Sequence, residues 1–113
     1  MMSTIAQSVQ LLHRLGYLYG RYGQPKRALV LLLIAARMAP DDVGVLRTLA
    51  HMFLLDGYPR RAAAVLERLA TLDGAEHPVL DLLRARALWK CGQKPEARQA
   101  FRCYLNHRRP SRR

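Results

Sequence analysis

The feature that most constrains this chain is an internal repeat. Leu12, Leu15, Tyr19, Gly23, Pro25, Ala28 and Leu32 recur 34 residues later as Leu46, Leu49, Phe53, Gly57, Pro59, Ala62 and Leu66. A third copy follows after a step of 35, with Leu88, Gly92, Ala97 and Phe101 answering Phe53, Gly57, Ala62 and Leu66, one residue having entered near His77. A unit of this length is one supersecondary motif that cannot bury its apolar face alone, so successive copies must stack. With 113 residues there is room for three copies and no second core.

The order Leu-x-x-Leu-Gly-x-x-Tyr, then Ala-x-x-x-Leu, then Pro resembles the tetratricopeptide repeat, and in the first copy it is carried by Leu12, Leu15, Gly16, Tyr19, Ala28, Leu32 and Pro40. Each residue type has a mechanical role. Gly16 and Ala28 are small where two helices must approach closely, and Leu12, Leu15, Tyr19 and Leu32 are expected to fill the space between them. Gly23 and Gly57 suit the left-handed residue that ends a helix, and Pro25 and Pro59 the first turn of the next. Pro40, Asp41 and Asp42 close one repeat and cap the following helix.

The pattern predicts six helices, over 3–21, 25–39, 43–56, 59–72, 77–91 and 94–107, and no sheet. The fold class is all-α: three tandem tetratricopeptide-like helical hairpins in a short right-handed solenoid. Residues 1–107 form one domain with repeats over 9–42, 43–77 and 78–107, and 108–113 form a basic tail. The third repeat is degenerate. Gly74 stands where Pro is expected, and Asp81 and Arg84 take the places of Leu46 and Leu49.

Chemistry is sparse. His13, His51, His77 and His107 are scattered without metal-ligand spacing, and the chain lacks a nucleophile elbow, a Gly-rich phosphate loop and paired carboxylates in an apolar setting. The expected class is a binding module, not an enzyme, with no metal, no cofactor and no small-molecule substrate. Cys91 and Cys103, without a CxxC partner, read as reduced structural thiols.

The longest apolar run, Ala28 to Ala36, falls short of the roughly 20 residues a membrane-spanning helix needs, so no membrane insertion is expected. The start MMSTIAQSVQ lacks the basic flank and apolar core of a secretory signal, which points to the cytoplasm.

Two surfaces remain for binding. The repeat register places His13, Tyr17, Arg21, Arg47, His51, Leu54, Leu55, Val79, Leu82, Arg86, Trp89 and Lys90 along the concave groove lined by the first helix of each pair. That basic, aromatic face suits a peptide with acidic and apolar residues, charge steering the encounter and aromatic anchors supplying affinity. His13 and Tyr17 occupy positions where the carboxylate clamp of chaperone-tail-binding tetratricopeptide proteins has Lys and Asn, so that specificity does not carry over.

The second surface is the outer face of the second helices. It is polar in repeat two, at Glu67 and Arg68, and mixed in repeat three, at Arg102 and Cys103, but in repeat one it is Val30, Leu33 and Ile34. Such an apolar patch needs a cover, either from Met1 to Ser8 or from another chain.

The net charge of +11 raises nucleic acid as a competing partner. Four of the arginines lie in RRPSRR, which leaves seven of those excess charges on 1–107, interleaved with acids and without a recognised nucleic-acid module. Nucleic acid is therefore not the expected partner.

The combination of three bare repeats with LGYLYGRYGQPKRALVLL opening the array and ARALWKCGQKPEARQAFRCYL closing it resembles the YscY family, the small Y proteins of bacterial type III secretion systems. The resemblance implies a cytosolic chaperone that binds a small secreted partner, the X protein, and presents it to the cytosolic domain of the export gate. It places the protein in the cytoplasm, peripheral to the inner membrane at the export apparatus. Two other classes of type III chaperone stay open: those of the translocators, which also carry three such repeats but a longer N-terminus, and those of the needle subunit. A three-repeat array without a polar capping helix after Leu105 is expected to depend on its partner for stability and to self-associate when free.

Overall fold

The computed structural model describes residues 2–72 and 77–108, and of Met2, Ser3 and Arg108 only the backbone. The calls on Gly74 and on the tail beyond Arg108 lie outside the described residues. Six helices follow one another: α1 (Met2–Arg21), α2 (Pro25–Met38), α3 (Val43–Leu55), α4 (Pro59–Ala70), α5 (Pro78–Lys90) and α6 (Lys94–Arg108). No strand occurs among the described residues.

Local chemistry sets the ends. Gly23, Gly57 and Gly92 have φ of 76°, 85° and 86°, the left-handed conformation that closes a helix without a Cβ penalty. After each, the backbone N–H reaches back to a carbonyl five residues earlier: Gln24 to Tyr19 at 2.9 Å, Tyr58 to Phe53 at 2.7 Å and Gln93 to Leu88 at 2.9 Å. The three hairpins thus share one Schellman-type turn. Pro25, Pro59 and Pro78 open α2, α4 and α5, where no N–H is needed.

Asp42 caps α3 by accepting from the Val45 N–H at 3.1 Å. His77 caps α5 in the same way, its Nδ1 accepting from the Val79 N–H at 3.1 Å.

The helices pair as α1–α2, α3–α4 and α5–α6, with α2 against α3, α4 against α5, and α3 in contact with both α1 and α5, so three hairpins stack in solenoid-like order. Gly16 is what lets α1 approach α2. A Cβ there would stand 2.7 Å from Cγ of Leu32, itself fully buried.

The core runs through Leu32, Leu46, Leu49, Phe53, Leu66, Leu69, Leu80 and Leu83, and a satellite joins Val9, Ala35 and Val45. Leu15 departs from expectation: it is exposed, not packed between the helices. It adjoins the contact residue Gly16 in sequence, and one residue turns the side chain about 100° around the helix, away from α2.

The degenerate third repeat has a structural counterpart. Where the second hairpin packs Leu46 and Leu49, the third forms a polar cluster: Arg84 bonds Asp81 at 3.4 Å, and Asp81 meets Nδ1 of His107 on α6 at 2.6 Å. The core contribution of α5 comes instead from Leu80, Leu83 and Ala87, at spacings of three and four residues on its other face.

Candidate functional site

The first helices supply the concave groove. His13 and Tyr17 from α1, Gly44, Arg47, Thr48 and His51 from α3, and Val79, Leu82, Leu83 and Arg86 from α5 line one pocket of about 400 Å³. The structure thereby brings together His13, Tyr17, Arg47, His51, Val79, Leu82 and Arg86 of the expected set, and adds Gly44, Thr48 and Leu83. Beyond Tyr17 a second depression continues over Gln10, Arg14 and Leu18.

Thr48 donates to the Gly44 carbonyl at 3.1 Å, so its oxygen is free to accept from Nε2 of His13 at 2.8 Å. The bond ties α1 to α3 across the groove and selects the Nε2–H tautomer of His13.

Burial lowers the His13 pKa below the ordinary 6.5; Asp42 opposes this and Arg47 adds to it. Burial, then Arg86, lowers His51 likewise. Both imidazoles are therefore neutral at pH 7, and the positive charge of the groove resides in Arg47 and Arg86.

The remaining groove residues divide. Arg21 lies over the Tyr17 ring at 5.9 Å, outside the pocket itself. Leu55 is exposed but does not line it. Leu54 is a correction: at 1% exposure it belongs to the core and offers nothing to a partner. Register along α3 put it on the groove, but the third hairpin packs over that side of α3.

Trp89 and Lys90 leave the concave pocket as well. They line a separate cleft of about 470 Å³ between α5 and α6, with Leu82, Ala85, Arg86, Ala97, Arg98, Phe101 and Arg102.

On the outer surface, Val30, Leu33 and Ile34 are 58%, 43% and 46% exposed, while the corresponding surface of the later hairpins is Glu67 and Arg68, then Arg102 and Cys103, all exposed. The described side chains of the N-terminal segment, from Thr4 on, do not cover them. The segment continues α1, and Thr4 to Gln7 are exposed.

The first hairpin carries more apolar surface than expected, since Leu11, Leu15, Leu18 and Tyr22 are also exposed. The spacing of i, i+4 and i+7 puts Leu11, Leu15 and Leu18 on one face of α1, with Tyr22 just past its end, a signal legible in the sequence but hidden by assigning Leu15 to the core. Met38 extends the Val30–Ile34 row on α2 by another four residues.

Among the described residues no three His, Cys, Asp or Glu side chains gather as metal ligands would. Cys91 is partly buried and Cys103 exposed, and both are free thiols. No described helix is long and apolar enough to cross a membrane. Neither protein-family models nor curated proteins provide a match to this sequence.

Proposed function

We propose that this chain is a helical-repeat chaperone whose first hairpin holds a small secreted helical protein, the reading implied by its resemblance to the type III Y proteins. The observation that carries it is the exposed apolar surface of that hairpin, Val30, Leu33, Ile34 and Met38 on α2 together with Leu11, Leu15 and Leu18 on α1 and Tyr22 just past its end. These side chains are 37% to 78% exposed, so covering each would contribute on the order of 1 kcal/mol before the costs of association. Eight such side chains on one hairpin are more than an isolated surface needs and enough for an interface.

The concave groove supplies the second element. Arg47 and Arg86 provide charge, and Tyr17 provides an aromatic anchor beside neutral His13 and His51. A partner spanning both surfaces would wrap the first hairpin. Presentation to the cytosolic domain of an export gate then uses faces the partner leaves free.

The test is co-expression of the tagged chain with the small genes beside its own, followed by purification and intact-mass measurement. A stoichiometric small helical secreted protein is expected. Leu33→Glu with Ile34→Glu should abolish its capture while the helical far-UV signal of the free chain persists. Recovery of nucleic acid that salt releases, with no protein partner, refutes the proposal.

A further inference from the structure

The repeat provides its own control for the cleft at the end of the array. α3 and α5 each have 13 residues and stand 35 apart from cap to terminal glycine, so positions in the second and third hairpins correspond one to one. Ala50, Leu54, Ala62 and Leu66 of the second hairpin correspond to Ala85, Trp89, Ala97 and Phe101 of the third. The second hairpin is covered by α5, which lays Leu80, Leu83 and Ala87 into the core, and Leu54 and Leu66 are each 1% exposed. Among the described residues no helix packs over the third hairpin in this way, and Trp89 and Phe101 are 50% and 44% exposed over a floor of buried Ala85 and Ala97. The cleft is the seat that the first helix of a further repeat would fill.

Its rim says what kind of helix. Arg86, Lys90, Arg98 and Arg102 line it, and among the described residues no carboxylate does. Lys94 adds a fifth cation, 5.0 Å from the Trp89 ring centre. The cations at 98 and 102 are peculiar to this hairpin, because the corresponding second-hairpin residues are Ala63 and Glu67. A second copy of the chain is a poor occupant. Its net charge is +11, and its open first hairpin carries Arg14, Arg21, Lys26, Arg27 and Arg37.

We infer that the α5–α6 cleft docks an amphipathic helix of a partner protein that completes the solenoid. The helix presents apolar side chains at i, i+3 and i+7, as α5 presents Leu80, Leu83 and Ala87, with Asp or Glu flanking that stripe. Trp89 and Phe101 are its apolar anchors, and Arg98 and Arg102 select its charge. This site stands on the third hairpin alone and is independent of the chaperone reading.

Trp89 is the chain's one tryptophan, so its fluorescence reports the cleft directly. The probes are two amphipathic peptides of about 15 residues with the same leucine stripe, one flanked by glutamates and the other by lysines. A saturable blue shift is expected with the glutamate peptide and none with the lysine peptide.

Arg98→Glu with Arg102→Glu, both exposed positions that leave the fold alone, should weaken the glutamate peptide at least tenfold and admit the lysine peptide. Leu33→Glu with Ile34→Glu should leave the titration unchanged, which separates this site from the first hairpin.

No shift, equal shifts with both peptides, or indifference to charge reversal overturns the inference. So does a shift produced by protein concentration alone, which would assign the cleft to a second copy.

Discussion

Leu54 and Leu55 are adjacent, identical and both placed on the groove by register, yet the structure buries one and exposes the other. Substituting each by Ala changes helix propensity by the same amount, so the difference between the variants reads burial alone. Leu54 is 1% exposed within the main core cluster that also holds Leu80 and Leu83 of α5, and removing its Cγ and two Cδ atoms opens a cavity there. Buried Leu→Ala substitutions cost roughly 3 to 5 kcal/mol, and because α4 and α5 can relax only in part we expect about 3. Leu55 is 48% exposed, so about half its transfer free energy is already forgone and water fills the space left behind. Its loss should cost about 1 kcal/mol or less.

For a domain of this size a loss of 1 kcal/mol lowers Tm by roughly 4 °C, which makes the expected shifts about 12 °C and about 4 °C or less. Thermal unfolding followed by circular dichroism at 222 nm, at one dilute concentration for all variants, measures both. Equal shifts, or a larger one for Leu55→Ala, would mean that the third hairpin does not cover α3 as described. The correspondence between Leu54 and Trp89 would fall with it.

Other consequences can be checked with the same assay. Burial holds the pKa values of His13 and His51 below 6.5, so the folded state binds fewer protons than the unfolded state just below that pH; stability is full above 6.5 and declines as pH falls towards the folded values. Tm should therefore drop between pH 7.5 and 5, and His13→Gln with His51→Gln should shallow the slope; an unchanged slope contradicts the burial argument. Gly57→Ala places a Cβ at a φ of 85° and should cost about 1 kcal/mol, although nothing lies within 4 Å of the added atom; a neutral result would mean the turn re-forms without the left-handed residue. Asp42→Ala removes the acceptor of the Val45 N–H and should cost about 1 kcal/mol, with Asp42→Asn recovering most of it.

The parts of the molecule legible in the sequence are those governed by residues close together in the chain. Helix ends follow from Gly23, Gly57 and Gly92 in the left-handed region and from Pro25 and Pro59 at first turns, because a local φ requirement or a missing N–H acts within a residue or two. The stacking follows from the 34-residue period, since a hairpin with an apolar face must find another like it. Gly16 against Leu32 was foreseeable for the same reason.

Exposure was not legible wherever it depends on which element comes next. Leu54 and Trp89 occupy one register position, and core is separated from cleft because α5 packs over the first while no described helix packs over the second. The groove likewise lost Trp89 and Lys90 to the cleft, because α5 turns one face to the concave pocket and another to the open end of the array. Leu15 matches the repeat pattern and still faces outward, since among the described helices α1 packs only against α2 and α3. Periodicity determines which side chains share a face of a helix, whereas burial of that face is a property of the neighbouring hairpin.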